Sequence, residues 1–306
     1  MKAIQYNAYG NSEVIQLNQI DKPIPKENEV LIRITATTVN PLDMKIREGY
    51  LQKQMPVTFP YVPGMDVAGT IEESGSSVSR FKAGDLVFAN KMGGGTYGEY
   101  ASFPEDKVSL IPSSISQQEA AALAIPLATS YSILVENSSY KQGERLLIQG
   151  AAGAVGLVLV QMAKAMGIYV IATASGDGVA LVKSLGADEV IDYKSQDFTT
   201  LVKDIDVVAD LAGGEAQNRL FEVIKKNGLL ISTFMPPSED LAKKYNITAK
   251  FLNMAVSAKE LEYGKALVEK GKIKAHIVKI FDLEEAAQAQ DLVSAGGIRG
   301  KVLLKI

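Results

Sequence analysis

Apolar positions along the chain follow distinct rhythms. Through residues 1–110 they come in short runs, as in EVLIRITATTV (29–39) and AGTIEESGSSV (68–78), punctuated by turn residues. Gly69, Gly75, Gly84 and the run Gly93–Gly95, with Pro41, Pro56, Pro60 and Pro63, supply the punctuation. Many short strands and few long helices predict a small barrel or sandwich. Near residue 116 the rhythm changes. SQQEAAALAIPLATSYSILVE reads as a helix opened by a Ser116–Glu119 capping box and broken or kinked at Pro126.

From there, strand-length apolar runs alternate with helical stretches. RLLIQG (145–150), IYVIATAS (168–175), EVID (189–192), DVVADLA (206–212) and GLLISTF (228–234) read as strands. AVGLVLVQMAKAMG (154–167), VALVKSLG (179–186) and AQNRLFEVIKKNG (216–228) read as helices. Near-continuous apolar strands between helices predict a parallel sheet covered on both faces. After residue 256, helices AKELEYGKALVEKGKI (258–273) and LEEAAQAQDLVSAGG (283–297) precede a terminal strand, GKVLLKI (300–306). That tail is too short to fold alone, so it is expected to rejoin the N-terminal part.

Composition narrows the chemistry. The 306 residues include no cysteine and one histidine, His276, to which no role is assigned. Disulfides, thiol catalysis, cysteine-ligated metals and a histidine-rich metal site are thereby excluded. Lys and Arg total 32 against 35 Asp and Glu, so no basic excess exists for a nucleic-acid partner. The start, MKAIQYNAYG, has no apolar leader core, and no long uncharged apolar run occurs. A cytosolic protein with no membrane partner is expected.

The turn after RLLIQG is Ala151-Ala152-Gly153-Ala154-Val155-Gly156, a Gly-x-Gly-x-x-Gly pattern with alanine first. Gly153 lets backbone approach a pyrophosphate, and Gly156 lets helix and strand pack closely. The N–H groups opening the helix receive the anion. The pattern follows a strand and opens a helix within a βαβ unit, the context that gives it meaning. About 20 residues on, where NAD-binding proteins place an acid, the strand ends in Ala174-Ser175-Gly176, with Asp177 beyond. A small hydroxyl leaves room for a 2′-phosphate, favouring NADPH over NADH. No basic residue stands beside it, and Lys194, after a later strand, is the candidate to supply the charge.

Further stretches are Val39-Asn40-Pro41-Leu42-Asp43, Pro63-Gly64-Met65-Asp66-Val67-Ala68-Gly69, Phe81–Val87, Gly95–Tyr100, Ser184–Asp188 and Arg299–Val302. With the glycine loop, in this order over essentially the whole chain, they resemble the zinc-independent quinone oxidoreductase branch of the medium-chain dehydrogenase/reductase superfamily. The resemblance implies an α/β protein. A GroES-like β-barrel catalytic domain comes from 1–121 and the returning chain 258–306. A doubly wound parallel-sheet Rossmann domain comes from 122–257. Zinc-dependent relatives carry Cys where Asn40 stands, Gly-His-Glu where Gly64-Met65-Asp66 stand, and a further Cys near Ile125. None of these ligands is present.

The resemblance also implies site residues. On the acceptor side, Asn40 is the candidate hydrogen-bond donor and Tyr50 a pocket wall. On the cofactor side, Ala152, Gly153, Ala154 and Val155 meet the pyrophosphate, and Thr129 the nicotinamide ribose or carboxamide. Ser175 and Tyr193 wall the adenosine phosphate. Phe234 lies near the nicotinamide, with Met254 a weaker candidate, and Lys301 lies near the cofactor. Asp43 is expected to orient the Asn-Pro turn or pair with Lys45, and Asp66 to buttress the turn. No Tyr-x-x-x-Lys pair occurs. A conjugated carbonyl needs little acid catalysis, because charge delocalises into oxygen and water delivers the proton. The expected activity is therefore NADPH-dependent hydride transfer to a quinone or similar electrophilic carbonyl. The alternatives are reduction of an enone or 2-alkenal double bond, or a non-catalytic NADPH-binding sensory or structural role. A homodimer is expected, its edge formed by GLLISTF and the following ITAKFLNMAV.

Overall fold

The computed structural model describes all residues except 139, 142 and 253–256. The N-terminal elements are β1 (Lys2–Gln5), β2 (Gln16–Gln19), β3 (Glu29–Val39), α1 (Pro41–Arg47), β4 (Asp66–Ser74), β5 (Leu86–Asn90), β6 (Tyr100–Pro104), β7 (Val108–Leu110) and α2 (Gln117–Tyr131). The central run comprises β8 (Arg145–Gln149), α3 (Ala154–Ala165), β9 (Tyr169–Ala174), α4 (Asp177–Ser184), β10 (Glu189–Asp192) and α5 (Phe198–Leu201). It continues with β11 (Ile205–Asp210), α6 (Glu215–Leu220), β12 (Ile224–Ser232), α7 (Glu239–Tyr245) and β13 (Thr248–Phe251). The chain closes with α8 (Ala258–Glu269), β14 (Ile277–Asp282), α9 (Ala286–Ser294) and β15 (Lys301–Lys305).

Two compact units result: Met1–Ile125 with Val256–Glu269 and Ala275–Ile306, and Pro126–Ala255 with Lys270–Lys274. The first is β-rich. Its main sheet runs β14-β15-β3-β4-β5-β7, with β6 also paired to β3. The terminal strand β15 lies antiparallel to β3, placing Val302 opposite Val39. Alternating inward residues of β3, β4 and β5, such as Ile32, Ile34, Val67, Ile71, Val87 and Ala89, form one buried cluster.

The second unit is a parallel sheet in the order β10-β9-β8-β11-β12-β13. Strand order reverses at β8, and ligands of such sheets bind beyond the carboxyl ends at this reversal. Leu147, Ile171, Val208 and Leu230 from four adjacent strands meet Leu220 and Phe221 in its core.

Some elements depart from the apolar pattern. The expected helix 216–228 stops at Leu220. Its apolar residues Leu220, Phe221, Val223 and Ile224 have helix-like spacing, but Ile224 pairs with Ile205 in the sheet. Between Ile224 and Leu229 the strand bulges, with Asn227 at φ 63°. Pro126 does not end α2, which continues to Tyr131 and passes into a wider turn over Ser132–Glu136. The expected strand 68–78 runs instead from Asp66 to Ser74, and the next residue must be glycine: a Cβ at Gly75 would lie 2.0 Å from the Lys26 carbonyl. GLLISTF is not an edge: β12 lies between β11 and β13, and β13 is the outer strand. Met254 and the end of the expected edge lie outside the described residues.

Candidate functional site

The phosphate loop is built by steric necessity. Gly150 leaves β8 at φ 79°, and its amide is followed by Ala151 N–H bonded to the Thr173 carbonyl at 3.2 Å. A Cβ at Gly156 would stand 2.6 Å from Ala151 Cα, Ala151 O and Gly150 O, all backbone. Glycine therefore sets how closely α3 packs on the loop. Gly153 is the N-cap, with φ −75° and ψ 169°, and no side chain caps the helix. The amides of Ala154, Val155 and Gly156 lie in the first turn, where the helix supplies no acceptor. Gly153 itself is open: its Cβ position meets only Gly150 O, at 3.4 Å. Ala152, Gly153, Ala154 and Val155 are all half-buried, so the loop presents its backbone outward. The donors and the positive end of α3 suit a diphosphate.

At the ends of neighbouring β9 and β10, Ser175 Oγ donates to Tyr193 Oη at 3.0 Å. Tyr193 is exposed, and Asp177 sits past the strand tip as the first residue of α4. Lys194 follows Tyr193 and is exposed. Thr129 is buried within α2. Phe234 is 44% exposed beyond the end of β12.

In the β-rich unit, Asn40 caps α1 and Pro41 opens it. Asp43, at the third helical position, accepts the Asn40 N–H at 2.8 Å and the Gly64 N–H at 3.1 Å. It joins the Asn-Pro turn to the Pro63–Asp66 stretch rather than acting at the surface. Gly64 is required there: at φ 94°, its Cβ would lie 2.2 Å from Tyr97 Cδ1. Burial pushes the Asp43 carboxyl up to about 7, against the lowering pull of those two amides.

Asn40, Thr38, Asp66 and Lys301 form one buried cluster. The Lys301 ammonium donates to Asn40 Oδ1 at 2.5 Å, Thr38 Oγ1 at 2.9 Å and Asp66 Oδ2 at 3.0 Å. Asn40 Nδ2 donates to Asp66 Oδ2 at 3.0 Å and to Thr38 Oγ1 at a longer 3.3 Å. Thr38 Oγ1 also donates to Asp66 Oδ2, and the Ile125 N–H reaches Asp66 Oδ1 at 2.8 Å. Tyr50 is 74% exposed in the turn after α1. Ile46, Met55, Val57, Tyr61 and Met92 help line an open cavity of about 500 Å3.

These residues do not fit zinc. Asn40 and Asp66 occupy expected ligand positions, but the charge beside them is already the Lys301 ammonium, and Asp66 is the cluster's one carboxylate. Among the described residues, no group of three or more His, Cys, Asp or Glu is placed to hold a metal. Thr38 was not legible as part of this cluster. Lys301, expected beside the cofactor, has its ammonium facing these three side chains.

A two-unit dehydrogenase architecture is what comparisons with known proteins return. Residues 26–113 match the alcohol dehydrogenase GroES-like domain, and residues 185–304 match a family described as zinc-binding dehydrogenase. The quinone oxidoreductase homolog of spinach chloroplasts is 33% identical over all of this chain and 98% of its own length. Human quinone oxidoreductase is 32% identical over 99% of this chain and 97% of its own. Among solved structures, the Coxiella burnetii quinone oxidoreductase has a TM-score of 0.92 at 32% identity, covering 100% of this chain and 99% of that one. The Escherichia coli quinone oxidoreductase complexed with NADPH also reaches 0.92, at 26% identity over all of both chains. The chain belongs to the quinone oxidoreductase branch of the medium-chain dehydrogenase/reductase superfamily and is an oxidoreductase. That sets aside the non-catalytic reading. No helix among the described residues is long and apolar enough to cross a membrane.

Proposed function

We propose that the protein transfers hydride from NADPH to a quinone or similarly electrophilic carbonyl, without zinc. The observation that carries this reading is the loop after β8, where Gly156 seats α3 on backbone and the helix's first amides lack side-chain caps. Bound there, NADPH supplies the hydride. Ala152, Gly153, Ala154 and Val155 hold its diphosphate through backbone amides. Ser175 and Tyr193 offer hydroxyls to the 2′-phosphate, with Lys194 as the nearby cation. Thr129 and Phe234 hold the nicotinamide end. The coenzyme of the Escherichia coli relative supports this choice.

On the acceptor side, Asn40 is the hydrogen-bond donor and Tyr50 a wall. The amide proton Asn40 offers is the one on its longer contact, the 3.3 Å bond to Thr38. Lys301 acts here by gripping Asn40 Oδ1, which fixes the face of the amide. Such positioning suffices because a quinone delocalises incoming charge into its oxygens. Water delivers the proton. The protein pairs as a homodimer through β13, whose outer side carries the exposed Phe251.

The test is direct. Purified protein is mixed with NADPH and a panel of quinones, and absorbance of the reduced nicotinamide is followed. Consumption above the protein-free rate is expected; none, despite NADPH binding, refutes the reading. Mass spectrometry of enone reactions separates the alternative, since a saturated product formed faster than any quinone is reduced reassigns the substrate.

A further inference from the structure

Three adjacent strands of the α/β unit end in polar residues. Register pairs Asp210 of β11 with Gln149 of β8 on one side and Ser232 of β12 on the other. All three are buried, Asp210 completely. An ionisable group in that position is costly unless several donors satisfy it. Four do. Asp210 Oδ1 accepts the Ala212 N–H at 3.1 Å and the Gly213 N–H at 2.8 Å. Its Oδ2 accepts Gln217 Nε2 at 2.8 Å and Ser232 Oγ at 2.9 Å.

The two amides belong to the turn after β11, while Gln217 lies on α6 and Ser232 ends β12. Gly213 is held again through its carbonyl, which accepts Gln149 Nε2 at 3.3 Å. Gln217 Nε2 also reaches the Met235 carbonyl at 3.1 Å, and Ser232 Oγ lies 3.4 Å from the Phe234 amide. Phe234 in turn rests on Gly213: a Cβ there would lie 2.3 Å from Phe234 Cδ1, so only glycine fits beneath the ring. Gln149 Oε1, in the same row, is buried and has no donor among the described residues. The row therefore keeps one acceptor in reserve beside the phosphate loop.

We propose that Asp210 is a positioning residue for hydride transfer. It touches no reacting atom. By clamping the Gly213 turn and, through Ser232 and Gln217, the Phe234–Met235 segment, it fixes the wall against which the nicotinamide end of the cofactor sits. This rests on the reading that the unit binds NADPH with Phe234 at that end. The adenosine half is held elsewhere, by the loop after β8 and by Ser175 and Tyr193, so loosening Asp210 separates the two halves.

The experiment compares wild type with Asp210→Ala, Asp210→Asn and Ser232→Ala. Quinone turnover with NADPH is measured beside affinity for 2′-phospho-ADP-ribose, the cofactor without its nicotinamide. Misplacing a reacting group by about 1 Å costs up to about 100-fold in rate. Asp210→Ala is expected to lower kcat about 10–100-fold while affinity for the fragment stays within about 2-fold. Asp210→Asn keeps an oxygen for the two backbone amides and is expected to fall between it and wild type. If Asp210→Ala does not fold, Ser232→Ala, which removes one hydroxyl, decides the matter by the same split. Unchanged kcat, or fragment affinity falling in step with kcat, overturns the proposal. A wild-type protein that binds NADPH but reduces no acceptor overturns the functional reading instead.

Discussion

Alanine at Gly156 and alanine at Gly153 separate folding from binding. At Gly156 the new methyl stands 2.6 Å from three backbone atoms of Gly150 and Ala151. No side chain can rotate away, so restoring an ordinary 3.4 Å contact requires α3 and the loop to part by about 0.8 Å. Overpacking of this kind costs about 1–3 kcal/mol, and alanine's better helix propensity returns about 1 kcal/mol. A net loss of about 1 kcal/mol is expected, lowering Tm by a few degrees. The displaced amides also lose hydrogen bonds to the diphosphate, each worth about 1.5–3 kcal/mol when the acceptor is charged. At Gly153 the methyl meets only Gly150 O, at 3.4 Å, and the backbone angles suit alanine. Folding is therefore unharmed or improved by about 0.4–1 kcal/mol. The methyl nevertheless occupies the surface a diphosphate must approach, and affinity for NADPH is expected to fall at least about 10-fold. Thermal unfolding of the cofactor-free proteins, with titration by NADPH fluorescence, measures both. A Gly153→Ala protein that binds NADPH as tightly as wild type refutes the reasoning.

Other outcomes follow from the β-rich unit and the sheet edge. Lys301→Met leaves the fully buried Asp66 carboxylate without its ammonium, and loss of one partner of a buried pair costs about 3–5 kcal/mol. Urea unfolding checks this, and a loss below about 1 kcal/mol contradicts it. The Asp43 carboxyl is raised from 3.8 to about 7, so the fold favours its protonated form. Its contribution is complete below its unfolded value and is lost as pH rises toward about 7; Asp43→Asn is expected to flatten that part of the stability–pH curve, and parallel curves contradict the assignment. Light scattering should give a dimer mass for wild type and a monomer for Phe251→Glu on β13. A monomeric wild type rules the edge out.

How much was legible depends on how far apart the cooperating residues lie. The parallel sheet could be read where a strand carries its own apolar run, as EVID does at β10, whereas the outer strand β13, Thr-Ala-Lys-Phe, has none. The glycine loop could be read because its constraint is local: Gly156 meets atoms only five and six positions back. The 216–228 segment misled because buried residues of a short helix, a turn and a strand fall at helix-like spacing. What decided it was the pairing of Ile224 with Ile205, which no local pattern reveals. The Thr38–Asn40–Asp66–Lys301 cluster draws on β3, the α1 cap, β4 and β15, and Lys301 alone reads as an ordinary strand charge. Asp210 carried a signal that went unused. An acid follows the apolar Val207-Val208-Ala209 run at the end of β11, shortly before Ala212-Gly213-Gly214, where a buried carboxylate can gather turn amides.

Titration calorimetry of wild type with NADPH and NADH bears most directly on the claim that the bend between β8 and α3 holds a coenzyme diphosphate. Saturable heat at one site per chain, tighter for NADPH than for NADH, is the predicted result. Absence of binding heat with both coenzymes, across temperatures that exclude a chance zero in enthalpy, would contradict it.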